Sequence, residues 1–390
     1  MLNTNSIVGI VVLALLTAAL IAWITVKNRK DFKGFLKKKD IVISGKRYGI
    51  DALGAMAQGL FCSLLIGTII DTLGSQFHIS FLETPIKLAI WKKEAAQLTV
   101  GGMASAMSGP AMAVAIGYAL HTPPLVLFSL ITAGFASNAF GGAGGPLAVL
   151  IVAILTAEIG KFVSKETKVD ILVTPLVTIG VGVGLSALIA PWLGTAASKV
   201  GDLIKLATEL QPFWMGILVS VLVGMALTLP ISSAAICATL GLTGLAGGAA
   251  VAGCCAQMVG FAVISFRENR WGGLVSQGLG TSMLQMPNII KNPRVWIAPT
   301  LTAAITGPIA TCLFRMEMNG PAVDAGMGTC GMVGPIGVWT GWASKGYSAG
   351  AMDWIGLALI AIILPAVVSP LIHLGVRKLG WVKDGDLKLQ

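Results

Sequence analysis

The residues best placed to do chemistry in this chain are carboxylates and amides standing in breaks between apolar stretches. Glu317 and Asn319 lie in Glu317-Met318-Asn319-Gly320-Pro321, and Asp324 follows shortly after. Together they offer acceptors and an amide beside glycines and a proline, a set suited to the hydroxyls of a sugar. A carboxylate next to a membrane span persists where water, a partner or a ligand offsets its desolvation. A solvated extramembrane loop would carry the same residues, so both readings stand at this point.

Thr281, Ser282, Gln285 and Asn288 form a second cluster, of neutral donors and acceptors, and Asn138 marks a third. Asn138 falls in the glycine-rich interruption 137–146, whose freed backbone groups lipid cannot satisfy. Such a break either lines a protein-enclosed cavity or is a plain turn at the membrane surface. Enzyme constellations come out poorly. The three histidines (His78, His121, His373) form no ligand-spaced pair, and the serine-hydrolase, zinc-protease and phosphate-loop motifs do not occur. No catalytic residue, metal site or cofactor is therefore expected.

The elements that must position these residues are membrane helices. Hydrophobic residues make up 55% of the 390 and charged ones 11%, against roughly 45–50% and 25% in a soluble domain. Stretches 7–26, 50–73, 171–193, 213–231 and 355–374 reach the ~20 apolar residues that cross a bilayer. The fold class expected is an all-α polytopic membrane protein.

The net charge of +10 could suggest nucleic acid, but nine Lys or Arg cluster between Lys27 and Arg47, at the end of a span. That is the positive-inside pattern, so the partner is the lipid bilayer, with no nucleic acid expected. The chain then divides into a first span (1–26), a basic cytoplasmic linker (27–49), a membrane transport domain (50–376) and a cytoplasmic tail (377–390). The loop 161–170, with three lysines, should face the cytoplasm as well. Residues 81–98 read as an amphipathic interfacial helix, 195–210 as a second one, and the six cysteines as buried packing residues.

The run Gly280-Thr281-Ser282-Met283-Leu284-Gln285-Met286-Pro287-Asn288-Ile289-Ile290-Lys291-Asn292-Pro293 resembles the membrane IIC components of the bacterial phosphotransferase system (EIIC), in particular the PfoR-like toxin-regulator branch. Gly326-Met327-Gly328-Thr329-Cys330-Gly331 and the 138–146 break share that likeness. The resemblance implies about ten transmembrane helices with re-entrant hairpins, similar to the glucose-type IIC fold, and a homodimer in the bacterial cell membrane. It implies a carrier for a sugar or related small polar solute that can work with separate IIA and IIB proteins. By position in its break, Glu317 matches the family's hairpin glutamate. The chain would be at most the translocating subunit of a phosphotransferase system. The regulator branch suggests an alternative role, a membrane solute sensor controlling toxin or metabolic genes.

Overall fold

The computed structural model describes residues 4–90 and 94–389, with the backbone course alone given for 4–14 and 87–96. Helices dominate: α1 (Thr4–Lys27), α2 (Phe32–Lys38), α3 (Arg47–Phe77), α4 (Val100–Ala106), α5 (Ser108–Ala119), α6 (Pro124–Gly141), α7 (Gly145–Val163) and α8 (Asp170–Thr208). After them come α9 (Pro212–Thr228), α10 (Ser233–Leu240), α11 (Gly244–Ile264), α12 (Phe266–Val275), α13 (Pro293–Leu313), α14 (Val333–Ser344) and α15 (Ala351–Lys378). Among the described residues six helical stretches are long and apolar enough to cross a membrane. One of these, Pro124–Val163, is two antiparallel legs, since the would-be side chain of Gly160 near its end meets Val126 near its start.

Two expectations are corrected. Within a helical fold, the stretch read as an amphipathic helix forms a hairpin of β1 (Ile86–Ile90) and β2 (Glu94–Leu98), with Ile86 opposite Leu98. Residues 91–93 lie outside the described residues. The Thr84-Pro85 step stops the preceding helical turn, because the residue before a proline is pushed into extended backbone. Residues 195–208, in turn, are no separate interfacial helix. They continue α8 without interruption through Pro191 and Gly194, because such residues weaken a helix without ending it where neighbouring groups compensate for the freed backbone.

The chain divides into two compact units, one of Met1–Leu60 with Met107–Thr195 and one of Phe61–Ala106 with Ala196–Gln390. In the first, α5, α6 and α7 pack through small residues. The position of a Cβ on Gly134 lies 2.4 Å from the Gly109 carbonyl oxygen, a closeness that permits backbone contact where lipid offers no hydrophobic drive. Gly142 turns α6 into α7 at φ +49 and ψ −122, a conformation a side chain would strain.

The basic linker folds against the same unit. Phe35 is buried and its ring meets Phe162 edge-on at 5.2 Å, while Lys39 pairs with Glu166 at 2.8 Å. Lys161 is not a loop residue as expected: it is buried in α7, where its ammonium donates to the Asp40 and Leu120 carbonyls and pairs with Glu158 at 2.9 Å. Arg47 donates to Leu120 O as well, so two cations cap the carbonyl end of α5.

In the second unit α11 is the central element, buried around nearly its whole circumference. Its mid-helix Gln257 accepts from Trp296 Nε1 (2.9 Å) and donates to Thr300 (3.2 Å), so the amide is satisfied inside the protein. Of the cysteines, Cys237, Cys254, Cys255 and Cys330 are buried, but Cys62 and Cys312 are exposed. Leu172, Leu176, Leu188 and Trp192 are exposed along α8, the outward apolar face a bilayer requires.

Candidate functional site

The break after α13 is extended, not helical. Arg315 takes φ +45 and closes the helix. Met318 then pairs with Gly244 as in a short antiparallel ladder, its N–H donating at 3.0 Å and its carbonyl accepting at 2.8 Å. The segment can pass between α11 and α14 only because glycines stand on both sides. A Cβ on Gly248 would lie 1.8 Å from the Met316 carbonyl oxygen, and one on Gly341 would lie 2.8 Å from the Asn319 nitrogen. The Met316 N–H, which donates to the Ala310 carbonyl at 2.8 Å, and both backbone groups of Met318 are thus met by protein, as non-helical backbone beside membrane helices requires.

This extended segment forms one wall of a cavity of about 570 Å3. Glu317 and Asn319 line it from the break, Trp342 from α14, Lys345 and Tyr347 from the connection that follows, and Asp353 from the first turn of α15. The Glu317 carboxylate accepts from Asn319 Nδ2 at 2.9 Å and faces Lys345 Nζ at 3.3 Å. The amide hydrogen bond, followed by the ammonium, holds the Glu317 carboxyl below the usual range, so it is ionised at neutral pH. Tyr347 Oη donates to Asp353 Oδ2 at 3.0 Å, and the Gly350 N–H donates to the same oxygen at 2.8 Å. Trp342 is buried and packs edge-on against Trp354 at 5.3 Å, giving the cavity an aromatic wall.

The size falls within the roughly 300–1,000 Å3 typical of small-molecule sites. Its lining pairs hydrogen-bond acceptors with an indole and an ammonium, which is chemistry for a polyhydroxylated solute.

The other sequence-derived candidates lie elsewhere. Asp324 sits in the short helix Ala322–Gly326, is not among the cavity-lining residues, and no hydrogen bond or ion pair reaches its carboxylate among the described residues. Burial pushes its pKa up to about 6.

Thr281, Ser282, Gln285 and Asn288 come together, but as a buried network. Ser282 Oγ meets Thr228 Oγ1 at 2.7 Å, and Thr281 Oγ1 accepts from the Met283 N–H at 3.1 Å. Gln285 donates to Gln277 Oε1 (2.8 Å) and to the Leu387 carbonyl (3.0 Å), while Asn288 donates to Gln285 Oε1 (2.8 Å) and the Lys388 carbonyl (3.0 Å). Asn138, in the first unit, reaches across to Ser108 Oγ at 3.4 Å and stands beside Gly145.

Sequence reasoning missed Trp342, Lys345, Tyr347 and Asp353. The available signal was the polar stretch 344–350 between two apolar helices, which reads as an ordinary turn until the fold brings it opposite Glu317.

Residues 50–389 match the profile of the family described as "Phosphotransferase system, EIIC". No curated protein and no solved structure matches.

Proposed function

Since this chain belongs to the phosphotransferase system EIIC family, we propose that it is a sugar permease whose solute is held in the cavity beside Glu317. Family membership and the apolar helices make it an integral membrane protein of the bacterial cytoplasmic membrane with a general role in sugar transport. The observation that carries the finer reading is the Glu317–Asn319–Lys345 group on one wall of a cavity with Trp342, Tyr347 and Asp353 on the others.

In this reading Glu317 accepts hydrogen bonds from solute hydroxyls, and Asn319 and Lys345 orient the carboxylate and donate to ring or hydroxyl oxygens. Trp342 covers an apolar sugar face. Each charge-assisted bond contributes about 1.5–3 kcal/mol, so two or three decide affinity. Asp324, Thr281, Ser282, Gln285 and Asn288 support the helices and breaks of the second unit, and Asn138 the break between α6 and α7 in the first.

The chain acts as the translocating subunit, a homodimer of about ten crossings per copy, and a separate IIB protein supplies phosphate where transfer is coupled to transport. Counting both legs of α6–α7 and the shorter apolar helices α1, α5 and α9 as crossings supports that number. The PfoR-like branch is the placement we favour within the family, because the likeness rests on the 280–293 run.

The test is uptake in proteoliposomes with a panel of radiolabelled hexoses, hexitols and N-acetylhexosamines, with and without candidate IIB proteins. Saturable uptake of one sugar, lost in Glu317→Gln, supports the proposal; binding of a sugar that is indifferent to both Glu317 and Trp342 moves the site elsewhere.

A further inference from the structure

Charged side chains line the Glu317 cavity at Arg315, Glu317, Lys345 and Asp353, and the last three are already engaged by the protein. Glu317 and Lys345 face each other at 3.3 Å, with the Asn319 amide on the same carboxylate. Asp353 stands in the first turn of α15, where its carboxylate accepts from the Gly350 N–H and from Tyr347 Oη. Its charge is taken up by the helix start that it caps, because the free N–H groups there carry partial positive charge. Arg315 is different. It is exposed, and among the described residues no hydrogen bond or ion pair reaches its guanidinium.

The chain fixes Arg315 against the backbone preference of a long side chain. Its φ of +45 lies in the left-handed region, which residues other than glycine seldom adopt. Bonds on either side impose it: the Phe314 N–H donates to the Ile309 carbonyl at 3.1 Å, and the Met316 N–H to that of Ala310 at 2.8 Å. The Phe314 ring is held too, since a Cβ on Gly356 would lie 2.5 Å from it. Backbone kept in a sparsely populated conformation by its surroundings is a feature of ligand clamps. A guanidinium placed in this way offers a rigid planar fork, which matches a carboxylate through two parallel N–H···O bonds.

We propose that the solute is a sugar acid, a polyhydroxylated carboxylate such as a hexuronate or hexonate, and that Arg315 binds its carboxylate. The inference rests on the sugar reading of the Glu317 cavity and adds the charge of the solute. Glu317, Asn319 and Trp342 meet the hydroxyl-bearing part, and Arg315 selects the acidic end. One carboxylate charge answers the one cation that the protein leaves unpaired. A phosphate ester fits less well, because it brings about −1.5 to −2 charge at neutral pH into a cavity that Glu317 and Asp353 also line.

The experiment is titration calorimetry on the full chain in detergent, with acids and neutral compounds of matched skeleton: glucuronate and glucose, galacturonate and galactose, gluconate and glucitol. In at least one pair the acid should bind at least tenfold more tightly than its neutral counterpart. Arg315→Gly removes the fork at a φ that glycine accepts, so it should fold. There the two affinities should come to within about threefold of each other, and Arg315→Lys, which keeps the charge without the fork, should fall between Arg315→Gly and the parent. Neutral compounds that equal or exceed their acids in every pair would overturn the inference, and so would an acid preference that survives in Arg315→Gly. Neutral sugars that bind through Glu317 while the acids do not would end this inference and leave the sugar reading standing; binding of neither class would end both. The matched pairs on the parent protein decide the matter even where a variant does not fold.

Discussion

Glu317 Oε2 and Lys345 Nζ stand 3.3 Å apart, the first on the extended break after α13 and the second just past the end of α14. Both side chains are about half exposed, at 46% and 57%. Such a pair contributes only about 0–1 kcal/mol to folding, so its placement is better explained by what the carboxylate meets in the cavity than by stability. Lys345→Met should accordingly leave the melting temperature within about 3 °C of the parent while altering solute affinity. Differential scanning fluorimetry beside isothermal titration reads both, and a large loss of stability would make the pair a structural clamp.

Asp324 supplies a pH dependence. Its pKa is raised to about 6 by burial, above the ordinary aspartate value of 3.8. The folded state therefore favours the protonated form: the stabilisation is complete below the ordinary value and is lost as pH rises through about 6. Asp324→Asn should match the parent near pH 4 and exceed it above pH 6, by about 1–3 kcal/mol after allowing for the group's partial exposure. Melting temperatures of the two proteins across pH 4–8 give the comparison, and parallel curves would refute it.

Lys161 should be among the least replaceable residues of the first unit. Its ammonium joins two carbonyl oxygens and the Glu158 carboxylate while 1% exposed. Lys161→Ala strands a buried carboxylate and should cost about 3–5 kcal/mol. The double variant Lys161→Met with Glu158→Gln should recover part of that loss. A thermal-melt double-mutant cycle in detergent measures it, and additive effects would contradict the pairing.

The break itself rests on Gly248. A methyl group there would meet the Met316 carbonyl oxygen at 1.8 Å, so Gly248→Ala must displace either α11 or the segment carrying Glu317. Overpacking of this kind costs about 1–3 kcal/mol. Uptake should fall by at least tenfold in whatever fraction still folds, whereas normal uptake would mean that the segment can shift without moving the site.

The helical class and the non-helical break at 317–321 were legible in the sequence, because apolar length and a carboxylate beside Asn-Gly-Pro are local signals. What could not be read was long-range. Lys345 and Asp353 become cavity residues only when the connection between α14 and α15 is brought opposite the break. The 281–288 amides read as a polar cluster from spacing alone, whereas their bonds to the Leu387 and Lys388 carbonyls come from residues a hundred positions later. Lys161 reads as a loop cation because burial of a lysine needs partners from distant positions, here Asp40 and Leu120.

The most direct test of the central claim is solute affinity in Glu317→Gln, which keeps the side chain's shape and removes its charge. Titration calorimetry with the transported sugar should show affinity at least tenfold weaker than the parent, a difference of about 1.4 kcal/mol, with the melting temperature little changed. Unchanged affinity in a folded Glu317→Gln protein would contradict the account and place the solute away from this cavity.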